Sequence, residues 1–343
     1  MKNISVENII KLMSMPKIGR KTALKLIQEI TFNISNDNDL IDFINEKGSS
    51  FRLPQYTKTE FETGFREADE ILLHSEKSGI KIISFQDSLY PTQLRAISDF
   101  PITLNYIGDI SSLTNLPCVA VIGTREPTEF GYKIGVRLGE YFASNGFNIV
   151  SGLAIGCDTA GHTGAIKING ISTAVLAHGL DTIYPKENRK LADEILEKGG
   201  VIVSEYFVKQ KPLANFFVER DRIQAGLSLG VIVVETAVKG GTMHTVKFCL
   251  ENNRILAAIN HPSEYLKEIK TQGNQLLIRE GKALPIYQKE EIENLLSKLQ
   301  SRFKGSTMPV IDKQIPISEN QIESTSEVKK AKNETPIQTK LWE

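Results

Sequence analysis

Cysteine is scarce in this sequence, and long apolar runs are missing from it. Its three cysteines, Cys118, Cys157 and Cys249, lie far apart, with no C-x-x-C pair and no metal-ligand spacing. This excludes a disulfide framework and favours buried thiols in a reducing compartment. No basic and apolar leader opens the chain, and no apolar run approaches the length of a membrane span. We therefore expect a soluble, cytoplasmic protein.

Charge imbalance and catalytic motifs are also lacking. The formal net charge is +0, so a polyanion would have to be bound by a local basic patch. The histidines show no metal-binding spacing, Ser151 lies in no G-x-S-x-G elbow, and G-x-G-x-x-G does not occur. Asp158 could act as a general base, but an Asp at a helix start is more often an N-cap. We therefore predict no catalytic residues, no cofactor and no metal site.

What the sequence does contain is a repeated pattern of strand, small-residue turn and helix. Apolar runs at 119–122 and 147–150 each lead into such a turn. The turns include Gly123, Thr124, Arg125, Ser151 and Gly152. Turns of this kind at helix N-termini attract anions, and Arg125 adds a planar donor fork suited to phosphate. They also occur for geometry alone, but two in tandem, one with an arginine, favour an anionic ligand.

Further apolar runs alternate with helical stretches along the chain. They lie at 82–85, 173–177, 201–205, 231–235 and 255–259, and a proline-containing connector is expected to add one more strand before Asp109. Near-continuous apolar strands of this kind are typical of a parallel sheet covered on both faces. The fold class is therefore α/β, a doubly wound Rossmann-like parallel sheet, which binds ligands outside the carboxyl ends of its strands.

Three segments are expected. Residues 1–82 form a small all-helical domain, 83–288 the sheet domain, and 289–343 an amphipathic helix followed by a disordered tail. The first segment contains a stretch that looks like a helix-hairpin-helix, in which a turn can hold a DNA phosphate. The candidate contacts there are Lys17, Gly19, Arg20 and Lys21. The alternative is that this hairpin only packs within the helical domain.

Two later stretches also fall where a ligand is expected. A helix predicted over 217–228 places Arg220 and Arg222 near its start, where cations are unfavourable unless an anion compensates. The alternative is a solvated face with Glu219 and Asp221 as partners. A third turn that could cradle a phosphate is formed by Gly240, Gly241 and Thr242.

Seven runs in collinear order resemble the DprA/Smf family of DNA-processing proteins. They are VIGTR at 121–125, IVSGLAIGCDTAGH at 149–162, GLDTIYPKEN at 179–188, SEY at 204–206, RDRIQAGLS at 220–228, VE at 234–235 and NQLLIREG at 274–281. The resemblance covers about residues 87–286. It implies a cytoplasmic, non-catalytic homodimer that binds single-stranded DNA and loads the RecA recombinase in natural transformation. By position, the strand-binding pocket would include Gly123, Thr124, Arg125, Ser151, Gly152, Arg220 and Arg222.

The chain departs from the family pattern at two places in the pocket. Asp221 puts a negative charge where the family has an amide, which predicts weaker phosphate binding, and the turn at 239–245 is altered. Two other functions on the same fold stay open. One is a sensor of a small nucleotide, and the other is an enzyme that releases bases from nucleoside monophosphates.

The last residues suggest a docking peptide. Gln338, Leu341 and the single tryptophan, Trp342, resemble a Gln-x-x-Leu-Phe peptide that binds the bacterial sliding clamp. An isolated apolar anchor on a flexible tether is typical of segments that fold only on a partner. The alternatives are that Leu341 and Trp342 pack on their own sheet domain, or that they have no role.

Overall fold

The computed structural model describes residues 4–307. From residue 4 to residue 80 the described chain is helical and holds no strand, as the sequence predicts. Its helices are α1 (Val6–Ser14), α2 (Arg20–Gln28), α3 (Asp37–Gly48) and α4 (Lys58–Lys77). The start of α4 is fixed by a capping box, in which Thr57 and Glu60 satisfy each other's backbone N–H groups.

Nine strands then form a single sheet. They are β1 (Lys81–Ser84), β2 (Thr103–Gly108), β3 (Cys118–Ile122), β4 (Asn148–Ser151), β5 (Ser172–Leu176), β6 (Val201–Ser204), β7 (Gly230–Val233), β8 (Ile255–Ile259) and β9 (Leu284–Ile286). Their order across the sheet is β1-β2-β6-β5-β4-β3-β7-β8-β9. From β6 to β9 all neighbours are parallel, which confirms the predicted fold class.

The first two strands and the last one differ from the sequence prediction. Strand β1 pairs antiparallel with β2, and β2 pairs antiparallel with β6. These strands extend the parallel sheet at one edge. Strand β9 was not predicted, because three residues that include Pro285 give too short an apolar signal.

Helices cover both faces of the sheet. They are α5 (Thr92–Arg95), α6 (Ser112–Asn115), α7 (Glu129–Ser144), α8 (Cys157–Lys167), α9 (Arg189–Glu197), α10 (Ala214–Leu227), α11 (Thr242–Glu251), α12 (Gln272–Arg279) and α13 (Lys289–Thr307). Helices α7 and α8 pack backbone against backbone: a Cβ on Gly139 would lie 2.2 Å from the carbonyl oxygen of Gly161. This close packing fixes the two helix N-termini that border the ligand edge of the sheet.

The topological switch lies between β3 and β7. The chain proceeds from β3 through β4 and β5 to β6 on one side, then returns to place β7, β8 and β9 on the other. In doubly wound folds the crevice at such a point is the usual ligand site. The turns that follow β3 and β7 therefore border the expected ligand site.

The C-terminal predictions are tested only in part. Helix α13 confirms the predicted amphipathic helix, with Ile292, Leu295 and Leu299 buried against the sheet domain. The expectations for the tail, including Gln338, Leu341 and Trp342, lie outside the described residues. None of the helices within residues 4–307 is long and apolar enough to cross a membrane.

Candidate functional site

A cavity of about 410 Å³ opens at the switch point, beyond the carboxyl ends of β3 and β7. It brings together residues that the sequence placed in three separate stretches. The predicted residues on its wall are Gly123, Thr124, Arg125, Arg220, Gly240, Gly241 and Thr242. The doubly wound order and the position of the turns therefore assemble most of the predicted site.

The turn after β3 is held in place by hydrogen bonds to Glu235. The backbone N–H of Thr124 donates to the Glu235 carbonyl at 2.8 Å. The fully buried Glu235 carboxylate accepts from the Thr128 N–H at 2.8 Å and from its hydroxyl at 2.5 Å, at the start of α7. Gly123 leaves no room for a side chain, since a Cβ would lie 2.5 Å from the Cys157 sulfur. The turn is thus rigid, and the Arg125 side chain on it is exposed.

Arg125 stands beside an aromatic surface. Its guanidinium carbon lies 5.3 Å from the centroid of the Phe217 ring, within cation–π range. The ring of Tyr184 is 6.1 Å from that of Phe217, and Tyr184 is 47 % exposed. A recess of about 60 Å³ lies between them, with Ile155 and Gly152 in its wall. The sequence alone gives these aromatic residues no role, because only the fold brings them together.

The polar groups of the turn after β4 are already hydrogen-bonded within the protein. The Ser151 hydroxyl is buried and donates to the Val121 carbonyl at 2.7 Å. The N–H groups of Gly152 and Ala154 donate to Asp158 Oδ2 at 3.0 and 3.3 Å. The prediction that Asp158 caps α8 is wrong, since the N-cap is Gly156 and Asp158 is the second helical residue. Its carboxylate occupies the amides that the sequence assigned to a phosphate.

Arg220 supports the cavity from inside the protein and is only 5 % exposed. Its Nη1 donates to the Val175 carbonyl at 2.8 Å, and its guanidinium lies directly over Gly152. Its Nε is 3.3 Å from Asp221 Oδ1 but makes no hydrogen bond. This buried donor without a hydrogen bond is consistent with a site for an anion.

The prediction that Arg220 and Arg222 lie near a helix start is wrong. Helix α10 begins at Ala214, so both arginines lie about two turns into it. The start was misplaced because its N-cap, Leu213, makes no side-chain capping bond and carries no capping signal. The argument from the helix dipole therefore does not apply to them.

Arg222 lies outside the cavity, in a cluster of four charges beneath the N-terminal helices. It is 2 % exposed and contacts Glu205 at 2.6 Å and Asp99 at 3.3 Å. Arg20, at the start of α2, contacts the same two carboxylates at 2.9 and 2.7 Å. Two predicted DNA contacts are thus engaged in joining α2 to the sheet. Lys17, Gly19 and Lys21 are exposed, and their contact with DNA stays a prediction.

We expect Arg20→Ala to lower the free energy of unfolding by about 1–3 kcal/mol, because it removes charged hydrogen bonds to two carboxylates. In this variant Arg222 still pairs with Glu205 and Asp99, which limits the loss of stability. Urea unfolding would measure the change in the free energy of unfolding. Lys21→Ala is the matched control on the same helix and should change stability by less than about 0.5 kcal/mol. Equal effects of the two variants would contradict an interlocking role for Arg20.

The third turn forms the opposite wall of the cavity. Helix α11 begins at Thr242, as the sequence predicts, with Gly241 as its N-cap. Thr242 and Thr245 both line the cavity, and Gly240 donates its N–H to the Ala237 carbonyl at 3.0 Å. Gly240 lets the chain turn closely over the end of β7, since a Cβ there would lie 2.8 Å from the Thr236 hydroxyl oxygen, and the threonines supply hydroxyl groups.

Burial determines the protonation of several groups around the cavity. It raises the pKa of Asp158, an effect that the charge of Arg220 opposes. It raises the pKa of Asp221 to about 7, again against the effect of Arg220. It also raises the pKa of the Cys157 thiol, which therefore stays neutral. Burial lowers the pKa of His162 to about 3, so this imidazole is uncharged.

Within residues 4–307 no group of three or more His, Cys, Asp or Glu side chains could hold a metal ion.

The strand order defines a doubly wound, Rossmann-like protein with a cavity at its switch point. More closely, the chain belongs to the DNA recombination-mediator protein A family, whose sequence model matches residues 81–298. It is 37 % identical over 220 residues to protein Smf of Escherichia coli, covering 64 % of this chain and 58 % of that one. It is 37 % identical over 218 residues to the DNA processing protein DprA of Streptococcus pneumoniae, covering 64 % and 75 %. The match thus spans less than two thirds of the E. coli protein.

Two solved structures agree with this assignment. DprA of S. pneumoniae has a TM-score of 0.69 at 29 % identity, with 85 % of this chain and 98 % of that chain covered. DprA of Helicobacter pylori has a TM-score of 0.57 at 28 % identity, with 66 % and 98 % covered, and its structure concerns that protein's mode of binding single-stranded DNA. The predicted family and fold class are confirmed.

Proposed function

We propose that this protein binds single-stranded DNA at the switch-point cavity, without catalysing a reaction. The observation that carries the proposal is the exposed Arg125 guanidinium, which lines the cavity and lies 5.3 Å from the centroid of the Phe217 ring. An arginine fork suits a phosphate, and an aromatic face suits a base. The H. pylori relative, for which binding of single-stranded DNA is described, supports the same ligand here.

The arrangement suits single strands better than duplexes. Bases can reach Phe217, Tyr184 and Ile155 only when they are unstacked from a complementary strand. The side chains around the recess are apolar or aromatic apart from Arg125, so stacking would dominate over hydrogen-bond readout of base edges. We therefore expect tolerance of sequence together with a clear preference for single strands.

A gel shift over a salt series tests this function. Labelled single-stranded and double-stranded oligonucleotides of equal length would be titrated with the full chain at several salt concentrations. We expect tighter binding of the single strand, little dependence on base composition, and weaker binding as salt rises, because phosphate contacts release counterions. Equal affinity for both forms, or affinity independent of salt, would contradict the proposal.

Family membership supports inferences about two partners. We infer that the bound strand is handed to a RecA-type recombinase in natural transformation or general recombination, and that the sheet domain pairs with a second copy. The family's description as a recombination mediator supports the first inference. Light scattering would test the homodimer. Strand exchange by a recombinase on strands already coated by single-strand-binding protein would test the loading.

A nucleotide-cleaving enzyme is the second candidate, favoured by the two carboxylates in the cavity. Asp158 and Asp221 both line it, and burial brings the pKa of Asp221 into the range useful for proton transfer. A general base must however lie within hydrogen-bond reach of the proton that it abstracts, and Asp158 Oδ2 already accepts two backbone N–H groups. Incubation with nucleoside monophosphates and chromatography for free base would decide between the two functions. A nucleotide sensor would instead show thermal stabilisation without turnover.

A further inference from the structure

Asp221 occupies an unusual position for an acidic residue, inside a cavity suited to an anion. It lies on α10, lines the cavity, and has a side chain only 14 % exposed. Its Oδ1 is 3.3 Å from Arg220 Nε. With its amide nitrogen turned towards Asp221, Gln224 donates to the same oxygen at 3.0 Å and accepts from the Gly152 N–H at 2.8 Å. The carboxylate is therefore part of the cavity wall and not a surface charge.

The charges around Asp221 are unevenly matched. Arg220 is the buried cation beside it, and the same arginine also faces the Asp158 carboxylate of α8. Arg125 approaches from the turn after β3, and α11 contributes the Thr245 hydroxyl. Two buried carboxylates thus share one buried guanidinium, with Arg125 more distant and exposed. An anion that enters this space is therefore close to two carboxylates whose negative charge the arginines neutralise only in part.

We propose that Asp221 takes up one proton when an anionic group enters the cavity, so that pH controls the affinity of the site. The proton comes from solvent, and the carboxylate becomes a neutral carboxyl group. Its new O–H can donate to a phosphate oxygen, so the wall loses a repulsive charge and gains a donor. The inference rests on the proposed function and makes Asp221 the residue that sets its pH dependence.

The direction of the effect follows from linkage. The pKa of Asp221 in the free protein is about 7, and a nearby anion raises it further because it disfavours the carboxylate. Below pH 7 the proton is already bound, so affinity is nearly constant. Above pH 7 binding requires proton uptake, and the Kd should rise by up to about tenfold per pH unit until the pKa of the bound state is reached.

The test is a pH series with the full chain and a fluorescent single-stranded oligo-dT, at constant ionic strength from pH 6 to pH 9. The wild-type Kd should rise with pH as above. Asp221→Asn should abolish this rise and bind at least about tenfold more tightly than wild type at pH 8.5. Asp193→Asn, on the outer face of α9 and 57 % exposed, removes the same charge elsewhere and should keep the wild-type slope.

His244 is the main competing explanation, since it also lines the cavity and histidines change charge in this pH range. His244→Gln should therefore retain the slope. Loss of the slope in His244→Gln, or its persistence in Asp221→Asn, would overturn the assignment to Asp221 while leaving DNA binding intact. Absence of binding by every variant from pH 6 to pH 9 would instead overturn the proposed function itself.

A measurement on the wild-type protein removes any dependence on the folding of variants. Calorimetric titration with the same oligonucleotide at pH 8, in two buffers of different ionisation enthalpy, gives the number of protons taken up. We expect a value approaching one per occupied cavity. Binding with no proton uptake would refute the proposal.

Discussion

Replacing Arg125 by Ala is expected to weaken binding of single-stranded DNA by roughly 10- to 150-fold. A charge-assisted hydrogen bond contributes about 1.5–3 kcal/mol, which corresponds to that range of Kd. The loss should be the same for all base compositions, because a phosphate contact carries no sequence information. The folded protein should be unaffected, since Arg125 is exposed and its turn is held by backbone bonds to Glu235. Fluorescence anisotropy at fixed salt would give the Kd.

Two further variants make the Arg125 test specific. Arg125→Lys keeps the charge but loses the planar fork and the contact with Phe217, so its affinity should fall between wild type and Arg125→Ala. Lys190→Ala removes a cation that is 90 % exposed on α9 and should leave the Kd within about twofold of wild type, the size expected of a surface charge. A loss in Lys190→Ala as large as that in Arg125→Ala would mean that the cavity has no special role.

Gly152→Ala is expected to destabilise the fold by about 3–5 kcal/mol. A Cβ at this position would lie 1.5 Å from Arg220 Nη1, so the guanidinium must move. Its hydrogen bond to the Val175 carbonyl would be lost, and Asp158 and Asp221 would face a displaced cation. Breaking a buried charge arrangement by moving one partner has a cost of this size. Urea unfolding would show a lower midpoint with an unchanged slope.

Gly241→Ala is the matched control for that substitution. Gly241 also lines the cavity, but no atom lies within 4 Å of an added Cβ, and its φ of −57° suits alanine. We expect stability equal to wild type or higher by up to about 1 kcal/mol, because alanine restricts the unfolded chain. A similar loss of stability in both variants would show that the clash with Arg220 is not the reason why residue 152 must be glycine.

The periodicity of apolar runs was sufficient to predict the parallel sheet and the helical N-terminal segment. Strands such as β3 and β5 are buried at every residue, and this produces the continuous apolar runs that identify them. The direction of the first two strands was harder to predict, because the antiparallel pairing of β1 with β2 depends on the long connector between them. The three residues of β9 give no periodic signal at all.

The cavity was predicted better than the roles of its residues. Gly123, Arg125 and Thr242 are where the strand–turn–helix pattern placed them. The sequence could not show that Asp158 occupies the amides of its own turn, because this depends on how α8 leaves β4. Nor could the sequence show that Arg220 and Arg222 have different roles. Two residues apart on a helix, they point to different sides, one towards the cavity and one towards Arg20 and its carboxylates.

The charge cluster beneath the N-terminal helices also has a consequence for the rate of unfolding. Arg20 and Glu205 are 185 positions apart in the chain, so we expect their contact to form late in folding, after the local contacts. Interactions that form after the transition state slow unfolding without speeding folding. We therefore expect the cluster to slow unfolding more than it speeds folding. Its loss should accelerate unfolding and leave the refolding rate nearly unchanged, a difference visible in the two arms of a chevron plot.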